Sequence, residues 1–229
     1  MKKKKIAFAA HTGNVMKSTL SQAMTIMCGN LGIKSSIACA DVDMRSAYET
    51  LTDRFNISKE KNDHKKMYKV INADSVQNAI DSHTDEDLYI IDCPSPIKDS
   101  IVTLIDNVDC LVMPCPGSVK DIRAATKVIY SLGSKGIPTD KILIVMSRIS
   151  SNNKSAQKEF KFACNYLNSI KVLSPDKLKF KIFPEYFREL KSYRDAINMG
   201  NAIFETTNLG INIETKDKIK KLIKTTMEY

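Results

Sequence analysis

The sequence predicts an α/β fold, a mostly parallel twisted sheet with helices on both faces. Three observations predict it. Short runs rich in Ile, Val and Leu alternate along the chain with segments of helical spacing. Those runs are continuously apolar, as strands are when both of their faces are covered. The polar motifs that stand out each follow one of these runs, at the strand end where parallel α/β sheets bind ligands.

The first run, Ile6-Ala7-Phe8-Ala9-Ala10, lies in a strand candidate at 5–10. Leu20, Ala23, Met24 and Met27 then recur at helical spacing and predict a helix over 17–31. A strand at 36–41 and a helix at 44–55 follow. Residues 56–69 are polar and charged and read as an exposed loop within the domain. Beyond it the alternation continues with a helix at 75–82, a strand at 87–92, a helix at 97–105 and a strand at 108–113. A helix at 118–134, a strand at 141–147, a helix at 152–168 and a strand at 180–183 come next, and helices at 188–198 and 214–227 close the chain. Connections between such parallel strands are right-handed. The 229 residues show no internal repeat and no linker, which predicts one domain over 1–229.

Composition narrows the function classes. No apolar run approaches the roughly 18 to 20 residues of a membrane span. Lys2-Lys3-Lys4-Lys5 has the charge of a signal-peptide start, but His11, Asn14 and Lys17 break the apolar run that follows. The expectation is a cytosolic, cytoplasmic protein. Cys28, Cys39, Cys93, Cys110, Cys115 and Cys164 form no C-x-x-C pair and mostly sit in apolar segments, which predicts buried free thiols. The net charge is +9, and residues 150–229 hold 15 Lys/Arg against 9 Asp/Glu. A basic C-terminal part suits an anionic partner, nucleic acid or a lipid surface. Solvated lysine faces on helices explain it equally well.

Three motifs carry chemistry. Thr12-Gly13-Asn14-Val15-Met16-Lys17-Ser18-Thr19 joins the first strand to the first helix. A strand, a tight loop ending in Lys-Ser/Thr and a helix are the recipe of a phosphate-binding loop: backbone N–H groups face the anion, Lys17 neutralises it and Ser18 holds Mg2+. Thr19 stands where it would contact the α-phosphate. His11 and Met16 occupy the positions where such loops carry glycine; a non-glycine residue in left-handed conformation at 16 costs about 1–2 kcal/mol. Asp41 and Asp43 follow the second strand two residues apart, so in extended geometry both point to one side. One would orient water near the γ-phosphate and the other would help hold the metal. Taken alone, the pair reads rather as acidic loop or helix-capping residues. Asp92 ends the apolar run Leu88-Tyr89-Ile90-Ile91 and is followed by Cys93-Pro94, an arrangement in which Asp contacts Mg2+ through water.

In this order and spacing the chain resembles the ParA/MinD-type P-loop ATPases with a deviant Walker A motif. Thr12 to Thr19 resembles the loop written K-G-G-x-G-K-[ST]-[ST], and its Gly-Asn-Val wording is similar to StbB-like plasmid stability proteins. Asp41-Val42-Asp43 resembles the D-x-D of switch I, and Asp92-Cys93-Pro94 the D-x-P of Walker B and switch II. Met113 to Asp121 resembles the family's P-x-x-x-S strand end. Ile144-Val145-Met146-Ser147-Arg148 is similar to its adenine-binding "V-N-R" strand end, and Ile182-Phe183-Pro184 to its "I-P". Asn198 to Glu205 resembles its "A-x-x-x-G-x-x-V-x-E" ending.

The resemblance implies an ATPase that forms a homodimer on ATP binding and positions DNA in plasmid or chromosome segregation. It implies ATP/ADP and Mg2+ as cofactors, non-specific DNA as a partner, and a small DNA-binding adaptor protein. By matched position Lys17 binds phosphate, Ser18 holds Mg2+, Asp43 orients the hydrolytic water, and Asp92 reaches the metal through water. Ser147, Arg148 and Pro184 lie beside the adenine. The family's signature lysine, which crosses the dimer, is Thr12 here, and a neutral hydroxyl cannot supply that charge. A catalytically degenerate P-loop module that docks a partner therefore stands as the alternative, with a MinD-like membrane-surface protein as a further one. The last helix bears on both. Ile219, Leu222, Ile223 and Met227 recur at helical spacing with lysines opposite, which fits a core helix, a DNA-facing helix or a membrane-surface helix; the match to the family's final core helix disfavours the membrane. Arg188, Lys191 and Arg194, three residues apart on a predicted helix, are a further candidate DNA footprint.

Overall fold

The computed structural model describes residues 3–41, 46–60, 68–82, 85–97 and 100–229. Among them are seven strands: β1 (Lys4–Phe8), β2 (Ser35–Cys39), β3 (Tyr68–Asn72), β4 (Leu88–Asp92), β5 (Cys110–Pro116), β6 (Ile142–Ile149) and β7 (Lys181–Arg188). The helices are α1 (Lys17–Asn30), α2 (Ser46–Glu60), α3 (Val76–Asp81), α4 (Ser100–Asn107), α5 (Val119–Ser134), α6 (Asn153–Leu173), α7 (Lys191–Asn198) and α8 (Leu209–Met227). The strands form one sheet in the order β3-β2-β4-β1-β5-β6-β7. Every pairing is parallel, so the predicted α/β class holds.

Period-two alternation divides the core between the two faces of the sheet. Ile6 and Phe8 of β1, Leu88 and Ile90 of β4, and Leu143 and Val145 of β6 pack with α1, α7 and α8. Ala7, Tyr89, Ile91, Ile142, Ile144 and Met146 pack with α3, α4, α5 and α6 on the other face. Asp92, one step on from Ile91, is therefore on the α1 face.

β1 sits between β4 and β5. The chain leaves β1 toward β2 on one side, and later passes from β4 to β5 on the other. This reversal opens a crevice at the carboxyl end of β1, where α/β sheets take ligands.

Three expectations change. β3 departs from the expected exposed loop over 56–69, which contains Tyr68 and Lys69. Val70 and Ile71 are only half-buried, as at a sheet edge, so the segment lacks the apolar run of a central strand. β7 runs past Phe183 to Arg188, and α7 starts at Lys191. Arg188 is consequently a buried strand residue, bonded to Glu214 and Asn153. The helical footprint of Arg188, Lys191 and Arg194 thus loses its first member.

The stripe Ile219, Leu222 and Ile223 of α8 is buried against the α1 face, so it is not available to a membrane surface. Among the described residues no helix is long and apolar enough to cross a membrane. All six cysteines are free, and five of them are buried.

Candidate functional site

The loop between β1 and α1 is shaped by its backbone. Thr12, Gly13 and Asn14 are exposed, Val15 is buried and Met16 is half-buried. Asn14 and Met16 both have positive φ, 57° and 67°. Met16 is the residue before the first turn of α1, and its side chain makes no capping hydrogen bond. The first N–H groups of α1 therefore keep their donors, and no acidic residue in the first turn competes for them. The Met16 side chain packs against the core on the α1 face. Its left-handed backbone turns the thioether into the protein rather than into the loop.

Lys17 and Asp92 meet beneath this turn. Lys17 Nζ donates to Asp92 Oδ1 at 2.8 Å and to Ser18 Oγ at 3.0 Å. Both charged side chains are buried, at 6% and 1% exposure. Register explains the meeting: Phe8 of β1 and Cys39 of β2 each pair with Asp92 of β4, so three strand ends finish level. Asp41 lies two residues beyond Cys39 and is half-buried. Its field reaches the same spot. The Cys39 thiol is pushed up to about 12 chiefly by burial, then by Asp92; Lys17 lowers it and Asp41 raises it. Asp43 lies outside the described residues.

Asp92 Oδ2 is buried and has no hydrogen-bond partner among the described residues. An orphaned carboxylate oxygen normally costs about 1–3 kcal/mol or more, so its presence asks for a partner. A hard cation with its water shell suits oxygen donors such as Asp92, Asp41 and the Ser18 hydroxyl. The residues present thus fit Mg2+.

The third part of the site lies where β6 ends. Arg148 (φ 50°) donates from Nη1 to the Asn14 carbonyl and from Nη2 to Glu189 Oε1, each at 2.7 Å. A cavity of about 280 Å3 opens beside it, lined by Asn14, Met16, Thr19, Glu189, Tyr193 and Arg194 among others. Ser147 is fully buried on the α1 face, and its Oγ has no partner among the described residues. Thr12 and Gly13 face a neighbouring cavity of about 290 Å3, which shares Asn14, Arg148 and Glu189 with the first and is also lined by Ser118, Asp121 and Glu159.

Pro184 is not brought to either cavity. It lies exposed inside β7, at a register shift between the Ile144–Ile182 and Met146–Tyr186 pairs. Proline cannot donate to the ladder, so the strand bulges there instead of ending. Glu189 and Leu190, just beyond the end of β7, line the first cavity. Glu189, Leu190 and Tyr193 do not stand out in the sequence, and Arg194 reads there as part of a DNA footprint and not as a cavity residue. The signal was Tyr186-Phe187, an aromatic pair suited to a strand, obscured by the proline before it.

No family model matches the chain, and no curated protein matches it in sequence. Solved structures do match it in shape. The MinC:MinD cell division protein complex of Aquifex aeolicus aligns with a TM-score of 0.66 and 18% identity over 96% of this chain and 95% of that one. The septum site-determining protein MinD of Pyrococcus horikoshii, complexed with Mg-ADP, aligns at 0.67 and 13% identity over 97% and 96%. A putative plasmid partition protein of Borrelia burgdorferi bound to AMPPNP aligns at 0.58 and 14% identity over 98% and 100%. The chain has the fold of these MinD and plasmid partition proteins along nearly its whole length.

Proposed function

We propose that this chain is a nucleotide-dependent positioning or partition ATPase of the ParA/MinD type, working as one domain. The observation that carries this reading is the convergence of Lys17, Ser18 and Asp92 beneath the uncapped N-terminus of α1. Backbone N–H groups of residues 13–19 bind the phosphates of ATP or ADP, aided by the helix dipole. Lys17 neutralises phosphate charge. Ser18, Asp41 and Asp92 hold Mg2+, which when bound offsets charge on the phosphates. By its match to the family, Asp43 orients the water for hydrolysis. The cavity beside Met16, Thr19 and Tyr193 accepts the nucleoside.

In this reading ATP favours a homodimer, which binds DNA non-specifically and answers to a small DNA-binding adaptor in plasmid or chromosome segregation. The exposed lysines of α8 (Lys220, Lys221 and Lys224) and Lys191 and Arg194 of α7 supply positive charge for that contact. Thr12, exposed and neutral, favours a second reading in which nucleotide is bound but scarcely hydrolysed and the protein acts by docking a partner.

Labelled-ATP binding to wild type and Lys17→Ala tests the first step. Binding by wild type and at least about tenfold weaker binding by the variant is expected. Equal binding in both would remove this loop from the function. Phosphate release measured on the same samples separates the two readings.

A further inference from the structure

We propose that Arg148 is a positioning residue for the phosphate loop, and not a contact for the base. The inference rests on the nucleotide-binding reading above. Its motivating observation is that Asn14, Met16 and Arg148 are the three non-glycine residues with positive φ among the described residues. All three line the same cavity. Left-handed backbone at such residues persists only where the surroundings over-determine it, and it gathers at ligand sites.

Arg148 is the group that over-determines it. Its guanidinium spans two partners that are far from it in the chain, the Asn14 carbonyl and the Glu189 carboxylate. Both bonds are 2.7 Å, at the short end for charge-assisted contacts. Arg148 is 30% exposed and Glu189 43%, so their ion pair alone contributes little. Its value is geometric: Glu189 holds one end of the planar fork, and the other end is presented to the loop.

Peptide geometry gives the strap its function. In a trans peptide the C=O of residue 14 and the N–H of residue 15 point in opposite directions. Drawing the Asn14 oxygen toward Arg148 therefore aims the Val15 N–H the other way. Released, that carbonyl could swing into the loop, where its partial negative charge would repel a phosphate. Left-handed residues at 14 and 16, on either side of Val15, make the alternating backbone that forms an anion-binding concavity. Arg148 thereby does a task that glycines perform in a more flexible loop, with each terminal nitrogen of its guanidinium carrying one of the two bonds.

Two probes separate positioning from base contact: Mg-ATP and inorganic tripolyphosphate with Mg2+, which has no base. Calorimetry on Arg148→Ala should show both weakened by the same factor, about tenfold. Arg148→Lys, a point charge that cannot span both partners, should recover only part of the loss. Weakened ATP binding with unchanged tripolyphosphate binding would make Arg148 a base contact and overturn the proposal, as would unchanged affinity for both.

A second measurement needs no nucleotide. In Arg148→Ala the amides of Val15 and Met16 should exchange faster while the melting temperature stays near wild type. Exchange unchanged at those amides overturns the strap. If wild type binds neither probe, the nucleotide reading fails while the exchange result still decides the strap. Glu189→Gln, which weakens only the buttress, should give a smaller effect of the same sign and serves if Arg148→Ala does not fold.

Discussion

Asp92 Oδ1 accepts a hydrogen bond from Lys17 Nζ at 2.8 Å, and the two side chains are among the most deeply buried charges of the chain. The pair joins the end of β4 to the first turn of α1. A buried pair contributes little net stability, because desolvation offsets its attraction. Its significance is that the lysine expected to meet phosphate is already held at the carboxylate expected to serve the metal. Phosphate binding must therefore compete with Asp92 for the same ammonium.

Removing one partner leaves the other charged and buried, at a cost of about 3–5 kcal/mol. Asp92→Asn and Lys17→Ala should each lower the urea midpoint accordingly. The pair Lys17→Met with Asp92→Leu should recover most of the loss, because it leaves no lone charge. Additive losses in the double variant would show that the two groups are not coupled.

Met16→Gly tests the loop. From sequence, methionine in a glycine's place looks like an impairment. In the structure its side chain already packs against the α1-face core. Glycine would relieve about 1–2 kcal/mol of left-handed strain and forfeit packing of similar size. Nucleotide affinity should stay within about threefold of wild type. A gain of a hundredfold by calorimetry would mean that the thioether does obstruct the phosphates.

Gly133→Ala should have the opposite sign from the usual helical exchange. In an open helix, alanine for glycine gains about 1 kcal/mol. At Gly133 of α5 an added Cβ would overlap the Lys177 carbonyl, with Lys177 C and Cα at 2.9 and 3.0 Å. That carbonyl already accepts from Thr139 Oγ1 at 3.0 Å. A loss of about 1–3 kcal/mol is expected, read from the denaturation midpoint; any stabilisation would contradict the close approach.

Burial pushes the thiols of Cys28, Cys39 and Cys115 up to about 12 from the ordinary value of 9.0. The folded state therefore keeps protons that the unfolded chain releases. Their contribution to stability is complete below pH 9 and is lost as pH rises from there toward 12. Denaturation midpoints should fall across that window. At pH 8 iodoacetamide should label the half-buried Cys164 first, with the other thiols reacting only on unfolding. Rapid labelling of several thiols in the native protein would contradict the packing.

Part of the candidate site is legible in the sequence. An apolar run, a Lys-Ser junction and a helical stripe are local patterns, and they marked Lys17, Ser18 and Asp92. Shape agreement with MinD and ParA structures supports the fold that those patterns predicted. The nucleoside end was less legible. Pro184 reads as a strand end, yet β7 absorbs it as a bulge and carries on to Arg188. Arg148 reads as a base contact, yet its guanidinium turns to a carbonyl 134 residues away.

The alternation of strand and helix, the turn at Lys17 and the acid closing β4 follow from neighbours along the chain, because periodicity and backbone preference are local. The strand order, the edge strand Tyr68–Asn72, the burial of Lys17 against Asp92 and the reach of Arg148 to Asn14 do not. They depend on which distant segments come to lie side by side. A local pattern carries no information about the partner that a buried charge or a free carbonyl will find once the sheet has closed around it.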